Sequence, residues 1–137
     1  MVNIFTYGTL MFAEIWSRVV VGEYDKSPAI LNGYDRKLAR GEIYPVLFPS
    51  TAFSLVEGTV YIGVTDADLQ ELDSFEGEYY SRQSAEVLVQ EAAKLPVQVY
   101  VLKEEYYSII SHKNWDPARF RIDGIQLFLN RFTGFTQ

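Results

Sequence analysis

The sequence predicts an α+β fold: a small mixed, partly closed β-barrel with flanking helices. Three observations carry the prediction. Five or so strand-like stretches follow one another through the middle of the chain, one helix interrupts them, and the pattern after Leu102 turns helical. Strands in local succession favour a curved or closed sheet over a doubly wound one, which needs a helix after each strand. At 137 residues the chain suits one domain, so residues 1–137 are expected to form a single unit with a helical C-terminal part from about 104 to 137.

The elements follow in order. Val2-Asn3-Ile4-Phe5-Thr6-Tyr7 alternates and is rich in β-formers, which predicts a first strand. Gly8 breaks it, and Thr9-Leu10-Met11 leads into a stretch where Phe12, Ile15, Trp16 and Val19 recur at helical spacing. A strand, a tight glycine turn and a helix point backbone N–H groups at one spot, which suits an anion. One glycine is not a phosphate-binding loop, and by itself the stretch fits an ordinary turn as well. Tyr24 to Arg40 is mostly extended, with breaks expected at Pro28 and Asn32-Gly33. Tyr44-Pro45-Val46-Leu47-Phe48-Pro49 is a short extended piece fenced by prolines, an edge strand or a pocket wall. Phe53 to Val64 predicts a strong strand, and Gly58 within it a bulge or a close backbone approach.

Thr65 is a good N-cap for a helix over Asp66–Glu76, and Asp68 resembles the second half of a capping box. Gly77 is a good terminator. Ser81 to Gln90 alternates with Ala85, Val87 and Val89 on one face; Glu91-Ala92-Ala93-Lys94 suits a hairpin turn, and Leu95 to Leu102 a further strand. Asp116-Pro117 starts a terminal helix, Phe120 to Phe132 is strongly apolar, and Gly134 is a plausible stop. Trp115 and these aromatics are expected to pack on the barrel, with a dimer contact as the alternative for a share of them.

Composition excludes several kinds of chemistry. There is no cysteine, so disulfides, zinc-thiolate sites and a thiol nucleophile are out. The net charge of -6, without a basic cluster, disfavours nucleic acid and anionic membranes as partners. Met1-Val2-Asn3-Ile4 leads directly into a strand, so no secretory signal is expected, and the apolar runs fall short of a membrane span. A cytoplasmic protein is the expectation, with its oligomeric state open. His112 is the single histidine and reads as a surface loop residue; no G-x-S-x-G elbow accompanies it. Without His or Cys clusters no metal is expected, and without a P-loop or G-x-G-x-x-G no nucleotide. Asp68 and Glu71 read as a solvated helix face. The ten tyrosines can fill a core and also line a small-molecule pocket.

What remains is carboxylate chemistry without a cofactor. On a helical wheel Leu69, Leu72 and Glu76 share one face, with Gln70, Glu71 and Ser74 opposite. A carboxylate on an apolar face, at the C-terminal end of a helix dipole, has its pKa raised towards neutrality, which suits a general base. The wheel alone leaves a second reading open, in which Glu76 frays out to solvent.

Tyr7-Gly8-Thr9-Leu10 after the first strand, then Val56-Glu57-Gly58-Thr59-Val60-Tyr61, Leu72-Asp73-Ser74-Phe75-Glu76 and Tyr80-Ser81-Arg82, resembles the gamma-glutamylcyclotransferase-like family. The resemblance runs from about Val2 to Tyr100, and Tyr44-Pro45 joins it more loosely. It implies a transferase of the acyl-transfer kind: the free α-amine of a gamma-glutamyl group attacks its own side-chain amide carbonyl, releasing 5-oxoproline and a free amine, with no cofactor. Glu76 matches the family's general acid/base. Tyr7, Gly8, Thr9 and Leu10 match the loop that holds the glutamyl head, and Tyr80 and Arg82 match the strand start beside the acid. Arg82 reads first as a structural ion-pair partner of Glu76 or Glu78, and second as a substrate contact. The alternative function is a non-catalytic or regulatory small-molecule-binding protein of the same fold.

Overall fold

The computed structural model describes residues 1–90 and 93–131. Among the described residues seven strands carry the architecture: β1 (Val2–Thr6), β2 (Lys26–Asn32), β3 (Tyr34–Leu38), β4 (Pro45–Pro49), β5 (Leu55–Val64), β6 (Tyr80–Leu88) and β7 (Lys94–Leu102). Five close a barrel in the order β1-β5-β2-β6-β7, while β3 and β4 form a separate two-stranded sheet. Neighbours in the barrel are antiparallel, except that β1 meets β7 in parallel at Ile4↔Gln98, which makes the closed sheet mixed as the sequence predicts.

Strand alternation sorts the side chains into two layers. Phe5, Tyr7, Leu31, Val60, Val97, Val99 and Val101 fill the barrel interior. The other layer joins the barrel wall to the helices α1 (Ala13–Val19), α2 (Asp66–Glu76) and α4 (Ile125–Arg131), through Ile4, Ile15, Trp16, Tyr61, Leu69, Leu72, Tyr100 and Phe128. In this layer Trp16 stacks on Tyr61 at 3.7 Å. Gly58 is the close approach that its place in a strand predicts: a Cβ there would lie 2.2 Å from the Thr6 carbonyl oxygen and 2.7 Å from the Phe5 ring. A register irregularity lies between Val2 and Ile4 on β1.

Helix α2 forms over the predicted residues. The Thr65 side chain accepts from Asp68 N–H, and Gly77 follows with φ 78°. Burial of Leu69 and Leu72, about 1.5–3 kcal/mol each, anchors the helix although a carboxylate ends its apolar face. Asp68 departs from expectation. It is 2% exposed, and it neither closes a capping box nor faces solvent. Its carboxylate accepts from Val21 N–H, Gly22 N–H and the Tyr24 hydroxyl, tying the segment after α1 to α2. Burial alone would raise its pKa, but these three donors outweigh burial and hold it below the usual value.

Other boundaries shift. Pro28 lies inside β2 opposite Thr59 rather than breaking the strand. β2 meets β6 only at Ile30↔Leu88, so the missing N–H of Pro28 interrupts no second ladder. β5 begins at Leu55, not Phe53, which is exposed. The α-helix after Gly8 starts only at Ala13, because Phe12 is extended (φ -93°, ψ 126°) and a 3-10 turn over Thr9–Met11 comes between.

After β7 a 3-10 segment spans Glu104–Ile109, and His112 is exposed in the loop beyond it. Asp116 caps α3 (Pro117–Arg119) by accepting from Ala118 N–H, as its position before Pro117 predicts. A π-helical stretch, Phe120–Gly124, joins α3 to α4; there the Phe120 ring lies where a Cβ on Gly124 would sit. Trp115, Phe120, Phe128 and Leu129 are buried, whereas Leu127 is exposed. The proposed turn at Glu91-Ala92 and the terminal Phe132 and Gly134 lie outside the described residues. No helix among the described residues is long and apolar enough to cross a membrane.

Candidate active site

The site begins where β1 ends. Tyr7 is pinned at both ends: its hydroxyl donates to the Tyr100 carbonyl at 2.7 Å, and its own carbonyl accepts from Arg36 Nη1 at 2.8 Å. The chain then turns at Gly8, against which Pro45 packs so closely that a Cβ on Gly8 would lie 2.8 Å from Pro45 Cγ. The Gly8 carbonyl accepts from Met11 N–H, closing the 3-10 turn. No backbone carbonyl among the described residues accepts from the N–H groups of Gly8, Thr9 or Leu10. They are the open donors that the start of a helical turn leaves over.

Glu76 ends α2, where the positive φ of Gly77 reverses the chain towards β6. It is half-buried and borders the same cavity of about 370 Å³ as Tyr7, Gly8, Thr9, Leu10 and Tyr80. Tyr44, Pro45, Phe75, Glu78, Tyr79, Tyr100 and Phe128 line most of the rest. Desolvation, then repulsion from Asp73, pushes the Glu76 carboxyl up to about 8. The Glu76 charge is felt in turn at Tyr7, Tyr80 and Tyr100, each of which burial, first of all, pushes well above the ordinary tyrosine value.

Five of the residues singled out from the sequence, Tyr7, Gly8, Thr9, Leu10 and Tyr80, therefore share one cavity with Glu76. Arg82 does not line it. Its guanidinium pairs with Asp73 (Nε to Oδ1 2.9 Å, Nη2 to Oδ2 3.3 Å) rather than with Glu76 or Glu78, and also reaches Gln98 Oε1. The reason is register. Arg82 lies opposite Tyr100 on the β6–β7 ladder, so both side chains face α2 at Asp73, where the Tyr100 hydroxyl donates to Oδ1 at 2.7 Å. The sequence reading missed this network and missed Arg36. Tyr100 could have been found, because it takes the opposite face of β7 from Val97, Val99 and Val101; Arg36 carries no local signal. Among the described residues no group of three or more His, Asp or Glu side chains is placed to hold a metal ion.

Residues 4–117 match the family model for gamma-glutamyl cyclotransferase, AIG2-like. The chain belongs to this family. Protein AIG2 C of Arabidopsis thaliana is 30% identical over 131 residues, covering 95% of this chain and 78% of the relative. The chain spans from 51% to 79% of the length of the Arabidopsis relatives it matches. A solution structure of an Arabidopsis thaliana protein shares the fold with a TM-score of 0.72 at 29% identity, over 96% of this chain and 79% of that one. A solved gamma-glutamyl cyclotransferase shares it with a TM-score of 0.63 at 20% identity, over 74% of this chain and 66% of that one. The cyclotransferase-family match takes in the Gly8 turn, Pro45, Glu76 and the Tyr100–Asp73 contact, and it ends at Pro117, before the π-helical stretch and α4.

Proposed function

We propose that the protein is a gamma-glutamyl cyclotransferase, converting a gamma-glutamyl amine or peptide to 5-oxoproline and the free amine. One observation carries the reading: a half-buried carboxyl with its pKa raised to about 8, Glu76, borders one small cavity with a turn of open N–H donors at Gly8–Leu10.

The chemistry follows from those two groups. The substrate's α-amine attacks its own side-chain amide carbon, forming the ring C–N bond and a tetrahedral oxyanion. Ring closure is intramolecular, and holding the reactive shape can supply an effective molarity of about 10⁵ M or more. Glu76 takes a proton from the attacking nitrogen and returns one to the leaving nitrogen as the old C–N bond breaks, so no water or redox partner enters. A base with a pKa near 8 is matched to an ammonium far better than an ordinary carboxylate is. At pH 7 roughly a tenth of such a group is ionised, yet a protonated Glu76 meeting a neutral amine holds the same number of protons as the ionised pair. The turn N–H groups suit the substrate's α-carboxylate or the oxyanion.

The test is 5-oxoproline formation from a panel of gamma-glutamyl amines and peptides, with the wild type and Glu76→Gln. Turnover in the wild type and its loss in Glu76→Gln are expected. Thermal stabilisation by 5-oxoproline without turnover of any panel member would assign a binding role instead.

A further inference from the structure

The cavity lining among the described residues contains two glutamates and no lysine or arginine. An anionic substrate head would therefore meet a cavity of the wrong sign, unless positive charge acts through the wall. Arg36 on β3 stands behind the wall. Its Nη1 donates to the carbonyl of Tyr7 at 2.8 Å and to the carbonyl of Glu57 at 3.1 Å, and its guanidinium lies 5.2 Å from the centre of the Trp115 ring. No carboxylate forms an ion pair with it among the described residues; the Glu57 side chain is exposed and acts on it only at longer range.

In a trans peptide the C=O and N–H point in opposite directions. Arg36 holds the carbonyl of the Tyr7–Gly8 peptide, so the Gly8 N–H is directed away from Arg36, and a cation on the oxygen polarises that N–H into a stronger donor. The α-helix that could have lent its dipole starts only at Ala13, after the extended Phe12. Among the described residues Arg36 is a half-buried cation without an ion-pair partner, fixed on the back of the peptide that leads into the turn, where that distant helix end does not reach.

We propose that Arg36 is a positioning residue for the substrate's α-carboxylate: it fixes the Tyr7–Gly8 peptide with its N–H towards the cavity and adds a positive charge behind it. The role rests on the cyclotransferase reading and deepens it. It separates from that reading through a pair of ligands, 5-oxoproline and 2-pyrrolidinone, which share the lactam ring and differ by the carboxylate.

The experiment measures both affinities by calorimetry in the wild type, Arg36→Met and Arg36→Lys, with KM and kcat for whichever gamma-glutamyl compound is turned over. The wild type is expected to prefer 5-oxoproline. Arg36→Met is expected to lose about tenfold in 5-oxoproline affinity and to raise KM similarly, with kcat changed far less and 2-pyrrolidinone binding nearly unaltered. Arg36→Lys, which keeps the charge, should recover part of the loss. The ratio of the two affinities is unaffected by a lower folded fraction, so a destabilised variant still answers. If the wild type prefers 5-oxoproline and Arg36→Met keeps the same ratio, the role of Arg36 is overturned and the cyclotransferase reading stands. If the wild type binds neither ligand and turns over no gamma-glutamyl compound, that reading falls and takes the role of Arg36 with it.

Discussion

The Tyr100 hydroxyl donates to Asp73 Oδ1 at 2.7 Å, and Asp73 stands one helical turn before Glu76. The contact ties the barrel wall to the end of α2 that carries Glu76. It also fixes a negative charge close enough to raise the Glu76 pKa. That charge is half-exposed and shared with Arg82, so it adds to the larger effect of desolvation rather than replacing it.

Glu76→Gln is expected to lower kcat at least ~10²-fold while 5-oxoproline still binds. Activity of the wild type should rise with pH through about 8, as the base ionises. A pH–rate profile of both proteins checks this.

The same group makes stability depend on pH. Its folded pKa lies above its unfolded value, so the folded state holds more protons between about 4.5 and 8. Its stabilising contribution is complete below the unfolded value and is lost as pH rises through about 8. Glu76→Gln should therefore raise Tm more at pH 9 than at pH 5, by a few degrees, in thermal melts.

Asp73→Asn removes the like charge and should move the rising limb of the rate profile to lower pH. Arg82→Ala should change stability by no more than about 1 kcal/mol, since its pair with Asp73 is half-exposed. A shift of the profile in Asp73→Asn together with an unchanged KM in Arg82→Ala would assign Arg82 to structure. A large rise in KM in Arg82→Ala would show that Arg82 reaches substrate.

Gly8→Ala places a methyl group 2.8 Å from Pro45 Cγ. We expect KM to rise about tenfold, and Pro45→Ala in the same chain to restore part of the loss. A double-mutant cycle measures that coupling. Gly58→Ala meets backbone instead, at the Thr6 carbonyl oxygen, and should cost about 3 kcal/mol or more in urea unfolding.

Glu78 and the aromatic side chains of Tyr44, Phe75, Tyr79 and Phe128 border the cavity, whose lining among the described residues includes no lysine or arginine. Leaving amines that carry no carboxylate should be preferred, because a second anion would face two glutamates with no lysine or arginine in the described lining to receive it. The ratio of kcat/KM for a gamma-glutamyl alkylamide and a gamma-glutamyl dipeptide tests this.

What the sequence made legible was local. Thr65, Gly77, Asp116 and Gly58 act through neighbours within a few residues or through a close approach that only glycine allows, and each falls where expected. The apolar face of α2 was equally plain, and with it the odd position of Glu76. What stayed hidden depends on contacts between distant strands. Asp68 has the spacing of a solvated residue, yet its partners lie more than forty positions earlier. Arg82 follows two nearby acids in sequence, Glu76 and Glu78, and pairs with a third, Asp73, because strand register chooses its partner. Arg36 reaches a backbone carbonyl 29 positions away, and no periodicity could announce that.

The Tyr7 hydroxyl meets a carbonyl 93 positions further along the chain, on the strand that completes the ring beside β1. β1 thus depends on β7, far along the chain, to complete its surroundings. Until β7 has been made, the Tyr7 hydroxyl has no Tyr100 carbonyl to meet, and the cavity beside Glu76 lacks the Tyr100 part of its wall. Such long-range closure predicts slow, late folding, with the nascent chain depending on its surroundings to keep β1 from mispairing. It also means that a shortened product ending before β7 holds every residue proposed for the chemistry and lacks the strand that closes the barrel around them.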